Sequence, residues 1–249
     1  MCENCGCSDH QHHNHHHTHD HPHVARTGSF PLRIDVGADI LGSNNRQALI
    51  NRELFRKRNL MVINMMGSPG SGKTTILEET IMSLRGGKPI YIIEGDQYSD
   101  IDAARIKKAG ANVIQINTAT RCHLDAGTVK DAVDSFGEIR DAIVIIENIG
   151  NLVCPALFDL GEDHRVIVLS VSEGDDKPAK YLTAFREANV VVFSKSDLLP
   201  YLNFNIEKAT TDAKKTNPNI RFFTLSATTG EGMKEWNSWL RSSKSDKKT

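Results

Sequence analysis

The chain has 249 residues, balances 30 basic against 31 acidic side chains, and is 39% apolar. That length holds one large α/β domain or two small ones, and the even charge excludes a nucleic acid or membrane surface recruited by bulk electrostatics. No apolar run approaches the ~20 residues of a membrane span, and the N-terminus is too polar for a signal peptide, so a cytoplasmic protein is expected.

The first 23 residues differ from all that follow. Cys2, Cys5 and Cys7 open the chain as C-x-x-C-G-C, and His10, His12, His13, His15, His16, His17, His19, His21 and His23 come next. With no apolar side chain to bury, this segment is expected to be disordered without a ligand. A purification tag would be an uninterrupted block, whereas Asn14, Thr18, Asp20 and Pro22 break this one. Imidazoles and thiolates suit borderline-soft divalent ions, and composition alone does not separate zinc from nickel or copper. An odd total of five cysteines also suits ligands or inert thiols better than disulfides. If Met1 is removed, three thiolates and the Cys2 amine could form a four-coordinate plane. Nickel(II) accepts that geometry, and zinc usually avoids it.

Residues 24–42 read as a linker, with Gly28, Pro31, Gly37 and Gly42 as breakers. A helix is predicted from Ser43 to Arg58, with Ala48, Leu49, Leu54 and Phe55 as its apolar stripe. The strand from Val62 then runs into Gly67-Ser68-Pro69-Gly70-Ser71-Gly72-Lys73-Thr74-Thr75, and a helical segment, Ile76 to Leu84, follows. Strand, G-x-x-x-x-G-K-[ST] and helix in this order make a phosphate-binding loop. Gly70 and Gly72 let backbone N–H groups turn inward, Lys73 reaches the β- and γ-phosphates, and the Thr74 hydroxyl ligates Mg²⁺.

Downstream, strands are predicted at Pro89–Ile93, Asn112–Ile116, Ala142–Ile146, Val166–Val171, Val190–Phe193 and Phe222–Leu225. Helices are predicted between them at Ile101–Ala109, Leu124–Phe136, Ala179–Ala188 and Ile206–Lys215, and at the end at Met233–Leu240. Continuous apolar strands alternating with helices predict an α/β fold of the P-loop NTPase kind, with a mainly parallel sheet covered on both faces. The division expected is a Cys/His-rich tail and linker over 1–42, a nucleotide domain over 43–241, and a frayed end over 242–249.

Two further strand ends choose the nucleotide. Ser194-Lys195-Ser196-Asp197 follows one strand, and the Asp197 carboxylate can accept from guanine's N1–H and exocyclic amine, whereas adenine would leave it unpaired. Lys195 can lay its stem along the base, and a backbone N–H of Ser226-Ala227 can meet the guanine oxygen. These ends resemble the Asn-Lys-x-Asp and Ser-Ala elements of GTPases, with Ser194 in place of the usual Asn. Glu147-x-x-Gly150 closes another strand: the carboxylate would hold Mg²⁺ through water and the Gly150 N–H would sense the γ-phosphate. Asp96 and Asp102 stand where a segment orienting Mg²⁺ or the attacking water belongs, although Asp102 could equally cap a helix.

Glu-x-x-Gly in that place is the pattern of the G3E metal-handling GTPases. Within that family the chain resembles the hydrogenase nickel-incorporation GTPases. The resemblance rests on Cys2-x-x-Cys5-Gly6-Cys7, the histidine segment, Cys122-His123-Leu124-Asp125-Ala126, and Glu147-x-x-Gly150 followed by Cys154-Pro155. The Cys-Pro-His tripeptide of the urease-maturation GTPases is absent. The resemblance implies GTP hydrolysis to GDP, a homodimer promoted by GTP and metal, and nickel delivery with partner proteins to the hydrogenase large-subunit precursor. It also implies a second metal site at Cys122, His123 and Cys154, for Ni²⁺ or Zn²⁺. From the residues alone, Cys122 fits a core thiol as well as a ligand. Alternatives are a nickel store regulated by its GTPase domain, or a role in urease maturation.

Overall fold

The computed structural model describes residues 36–96, 101–118 and 122–242. The chain divides after Asp35, and everything below concerns the second unit. The expected tail ligands, Cys2 to His23, lie outside the described residues.

Among the described residues, seven strands form one parallel sheet: β1 (Met61–Met66), β2 (Ile90–Asp96), β3 (Asn112–Asn117), β4 (Ile143–Glu147), β5 (His164–Ser170), β6 (Val190–Ser194) and β7 (Arg221–Thr224). Their order is β3-β2-β4-β1-β5-β6-β7. β1 therefore lies between β4 and β5, and the loop that leaves it opens into the crevice where strand order reverses. The helices are α1 (Val36–Lys57), α2 (Lys73–Ser83), α3 (Ile101–Ala109), α4 (Ala126–Ser135), the short α5 (Cys154–Leu157), α6 (Lys177–Lys180) and α7 (Leu182–Glu187), then α8 (Ile206–Thr216) and α9 (Met233–Ser242).

Alternation along the buried strands sorts the core into two faces. Ile63, Ile92, Ile145, Val168 and Val192 pack with Ile76 and Leu77 of α2, Ile106 of α3 and Trp236 of α9. On the opposite face, Val62, Val144 and Ile146 meet Phe55 of α1 and Val129 of α4, while Ile167, Val191 and Phe193 meet Phe185 of α7 and Ala209 of α8. β1, β4 and β6 are buried at every position, as strands covered on both faces must be.

Two expectations need correction. α1 begins at Val36 rather than Ser43, so residues 36–42 of the expected linker are helical and Gly37 and Gly42 lie inside α1. A glycine in a helix costs about 1 kcal/mol, which the remaining turns of a 22-residue helix outweigh. The helix expected over Ala179–Ala188 is instead two short pieces, because Tyr181 adopts φ −109° and ψ 51°, outside the helical region. The six downstream strands stand at their expected places within two residues at each end, except that β2 runs three residues further, to Asp96.

Candidate nucleotide and metal sites

The loop from Gly67 to Gly72 delivers the chain from β1 to the N-terminus of α2. Gly72 caps that helix at φ 95°, a left-handed conformation that opens the helix end towards the loop and that a β-carbon would strain. Inside the turn the Ser71 N–H donates to the Ser68 carbonyl at 3.1 Å. Lys73 is buried, and its Nζ donates to the Gly67 and Ser68 carbonyls at 3.3 and 3.4 Å. Burial lowers its pKa, with the charge of Glu147 opposing. The Thr74 hydroxyl donates to Glu147 Oε1 at 2.7 Å, joining the first turn of α2 to the end of β4. A cavity of about 470 Å³ lies over this loop, and Gly70, Thr75, Asp96, Asp102, Glu147 and Gly150 all reach it. Sequence reasoning placed each of these residues at the site.

It missed two others. Glu94 is the register partner of Glu147 across β2 and β4, so the two carboxylates stand side by side on one face at neighbouring strand ends. Burial, then the charge of Glu147, pushes Glu94 up to about 8. Burial raises Glu147 to about 7, with Lys73 and the Thr74 hydrogen bond holding it back. One oxygen of each, Oε2, is buried and makes no hydrogen bond. The second missed residue is Arg105 of α3, which grips Glu78 and Asp102 and donates to the Thr75 hydroxyl at 3.3 Å. Asp102 lies inside the first turn of α3, paired with Arg105 at 3.1 Å.

A second, smaller cavity of about 180 Å³ adjoins the loop. Gly72, Lys195, Asp197, Ser226 and Ala227 line it, at the ends of β6 and β7. Lys195 holds φ 59°, and its Nζ reaches back across the cavity mouth to the Gly70 carbonyl at 2.7 Å. The Ser226 N–H is engaged by the Glu231 carbonyl at 2.9 Å, so of the expected Ser226-Ala227 pair a base can recruit only the Ala227 N–H.

Cys122 and His123, ahead of α4, come together with Cys154 at the start of α5, their ligand atoms all within 4.8 Å of one another. Cys122 Sγ lies 3.6 Å from His123 Nδ1, and the imidazole stacks on Phe158 with centroids 3.7 Å apart. A hydrogen bond with Cys154, and then burial, pushes the Cys122 thiol up. Two thiols and an imidazole form a soft set suited to nickel or zinc, and three ligands leave a tetrahedral or square site one short.

One segment touches both sites. Asn148 donates its N–H to the Met65 carbonyl at 2.9 Å, and Asn151 bridges to Gly67. Between them Gly150 lies so close to the phosphate loop that a β-carbon there would fall 2.7 Å from Pro69 Cγ. Cys154 begins α5 only four residues beyond Gly150.

Comparison with known proteins agrees with this arrangement. The profile of the CobW/HypB/UreG nucleotide-binding domain matches residues 61–224. The hydrogenase maturation factor HypB of Escherichia coli strain K12 is 51% identical over 207 residues, covering 83% of this chain and 71% of the relative. Two crystal structures superpose with a TM-score of 0.75 each. HypB of Helicobacter pylori in complex with nickel is 36% identical, over 80% of this chain and 93% of its own. The hydrogenase maturation factor HypB of Archaeoglobus fulgidus is 38% identical, over 81% and 98%.

Proposed function

Because the chain belongs to the CobW/HypB/UreG family, we propose that it is a GTPase that binds nickel and delivers it during hydrogenase maturation. The phosphate loop supplies inward N–H groups and the buried ammonium of Lys73 for the β- and γ-phosphates. Asp197 accepts from the guanine N1–H and amine, Lys195 covers the base, and the Ala227 N–H meets its oxygen. Asp96 or Asp102, both at the cavity, orients the water that attacks the γ-phosphate, yielding GDP and phosphate.

Mg²⁺ suits the donor set. The Thr74 hydroxyl and the Glu147 carboxylate are hard oxygen ligands, and the orphaned Oε2 atoms of Glu147 and Glu94 are buried acceptors beside them. When bound, the ion neutralises charge on the β- and γ-phosphates. Nickel is cargo, held by Cys122, His123 and Cys154 and by the tail, and zinc can take the same domain site. A site one ligand short favours completion across a homodimer, promoted by GTP and metal. The acceptor is the hydrogenase large-subunit precursor, reached with partner proteins. Among the described residues no helix is long and apolar enough to cross a membrane, which is consistent with work in the cytoplasm.

The observation that carries this reading is the segment from Asn148 to Cys154, which rests on the phosphate loop at one end and supplies a metal ligand at the other. A store has no need of that connection, although the histidine-rich tail favours storage as the second reading. The test is hydrogenase maturation with the wild type and a Lys73→Ala variant at limiting nickel, with GTP turnover and hydrogenase nickel content read together. Full nickel insertion without GTP turnover would leave the storage reading.

A further inference from the structure

We propose that Glu94 is a second carboxylate, beside Glu147, through which this chain holds the water shell of the divalent cation that accompanies the nucleotide. The proposal rests on the GTPase reading above and adds a positioning residue to it. β2 and β4 pair in parallel register with Glu94 opposite Glu147, so both side chains leave the same face of adjacent strands. Glu94 is only 3% exposed and Glu147 4%.

A buried carboxylate is costly unless something compensates it. Glu147 has the Thr74 hydroxyl. The described structure gives Glu94 no hydrogen-bond donor at Oε2 and no ion pair, yet it lines the phosphate cavity. The nearby cations are committed elsewhere: Lys73 is bonded to the loop carbonyls, and Arg105 to Glu78 and Asp102. Asp96 and Asp102 add negative charge to the same wall. Once ionised, Glu94 would repel a phosphate oxygen, so the group the nucleotide brings that satisfies the ionised carboxylate is the accompanying cation. Contact through water is favoured on two grounds. Among the described residues, only the Cys122, His123 and Cys154 group brings three such ligands close enough to share one ion directly. Mg²⁺ also keeps several waters and binds through few protein carboxylates.

The test is Glu94→Gln, which keeps shape and removes charge. Affinity for GDP and for a non-hydrolysable GTP analogue is measured in EDTA and then across a Mg²⁺ titration. The expected result is an affinity in EDTA equal to or tighter than wild type, with the Mg²⁺ concentration needed for half the metal-dependent gain rising about tenfold or more. Glu94→Asp, which retains the charge on a shorter stem, should fall between the two. An unchanged Mg²⁺ midpoint in both variants overturns the proposal. So does equal weakening with and without Mg²⁺, which would mark a structural role. Failure of the wild type to bind guanine nucleotides even at saturating Mg²⁺ would instead overturn the GTPase reading on which the proposal stands.

Discussion

The Ser194 hydroxyl donates a 2.6 Å hydrogen bond to the Ser71 carbonyl, joining the end of β6 to the phosphate loop. Ser194 is buried, and it stands where GTPases usually carry an asparagine. The shorter side chain still ties the end of β6, proposed above to meet the base, to the phosphate loop, but its single O–H is spent on that bond. Ser194→Ala removes the donor and leaves a buried carbonyl unpaired, a loss of roughly 1–3 kcal/mol. Affinity for both GDP and GTP should fall about tenfold or more by fluorescent-nucleotide titration. The preference for guanine should persist, because Asp197 is untouched. Wild-type affinity in the variant would show that the bond does not organise the site.

Base choice itself should rest on Asp197. Wild-type protein is expected to prefer GTP over ATP by roughly a hundredfold or more, since adenine leaves the carboxylate without its donors. Asp197→Asn should move the preference to xanthine nucleotides, whose ring carries an acceptor where guanine has a donor. Competition binding with the three nucleotides checks this, and equal use of ATP and GTP by the wild type would refute it.

Nucleotide state should alter nickel affinity through Gly150 and Cys154. Four residues span at most ~14 Å of chain, and Pro155 restricts the conformation of Cys154, so movement at the loop is hard to absorb before the thiol. Nickel affinity should differ between the GDP form and the form bound to a non-hydrolysable analogue. Metal should then change nucleotide affinity by the same factor. A difference that survives in Cys154→Ala would locate the coupling elsewhere.

Deleting residues 8–23 should lower the number of nickel ions bound while GTP hydrolysis stays near wild type. Imidazole binds metal only when neutral, so the capacity lost in the deletion should, in the full chain, decline as pH falls through about 6.5. Nickel stoichiometry at several pH values measures both effects, and an unchanged count would show that the tail is not the store.

Stability should depend on Asn51. This fully buried side chain donates from α1 to the Ala126 carbonyl at 2.8 Å and to the Leu160 carbonyl at 2.9 Å. Asn51→Ala orphans two buried acceptors, at a cost of about 2–3 kcal/mol. For a domain this size that is roughly a 5–10 °C fall in melting temperature. A fall under one degree would mean that water replaces the amide.

The phosphate loop, the strand ends that line the smaller cavity and the six later strands were legible because each is written in a short stretch: glycine spacing, a charged pair after an apolar run, a continuous apolar tetrapeptide. Cys122, His123 and Cys154 were proposed as one site only through family resemblance, and the fold brings them together. Glu94 was not legible, although an acid closing the apolar run Ile90–Ile93 was a signal, because what gives it meaning is register with Glu147. Arg105 likewise depends on α3 packing beside α2. The break at Tyr181 left no trace in periodicity, since the residues on both sides favour helix.

The placement of β1 between β4 and β5 also bears on how the protein is made. Met61 pairs with Ile143 and Met66 with Ile167, so the partners of the central strand are translated about 80 to 100 residues later. At about 5–20 residues per second that is a delay of several seconds or more. During it Met61 to Met66, buried at all positions in the finished sheet, has no native partner strand. Neither half of the nascent chain can therefore assemble the nucleotide pocket. β4 and β5 complete the sheet around the phosphate loop, but Lys195, Asp197 and Ala227 follow only with β6 and β7, and chaperones that shield short apolar strands have their clearest task before β5 emerges.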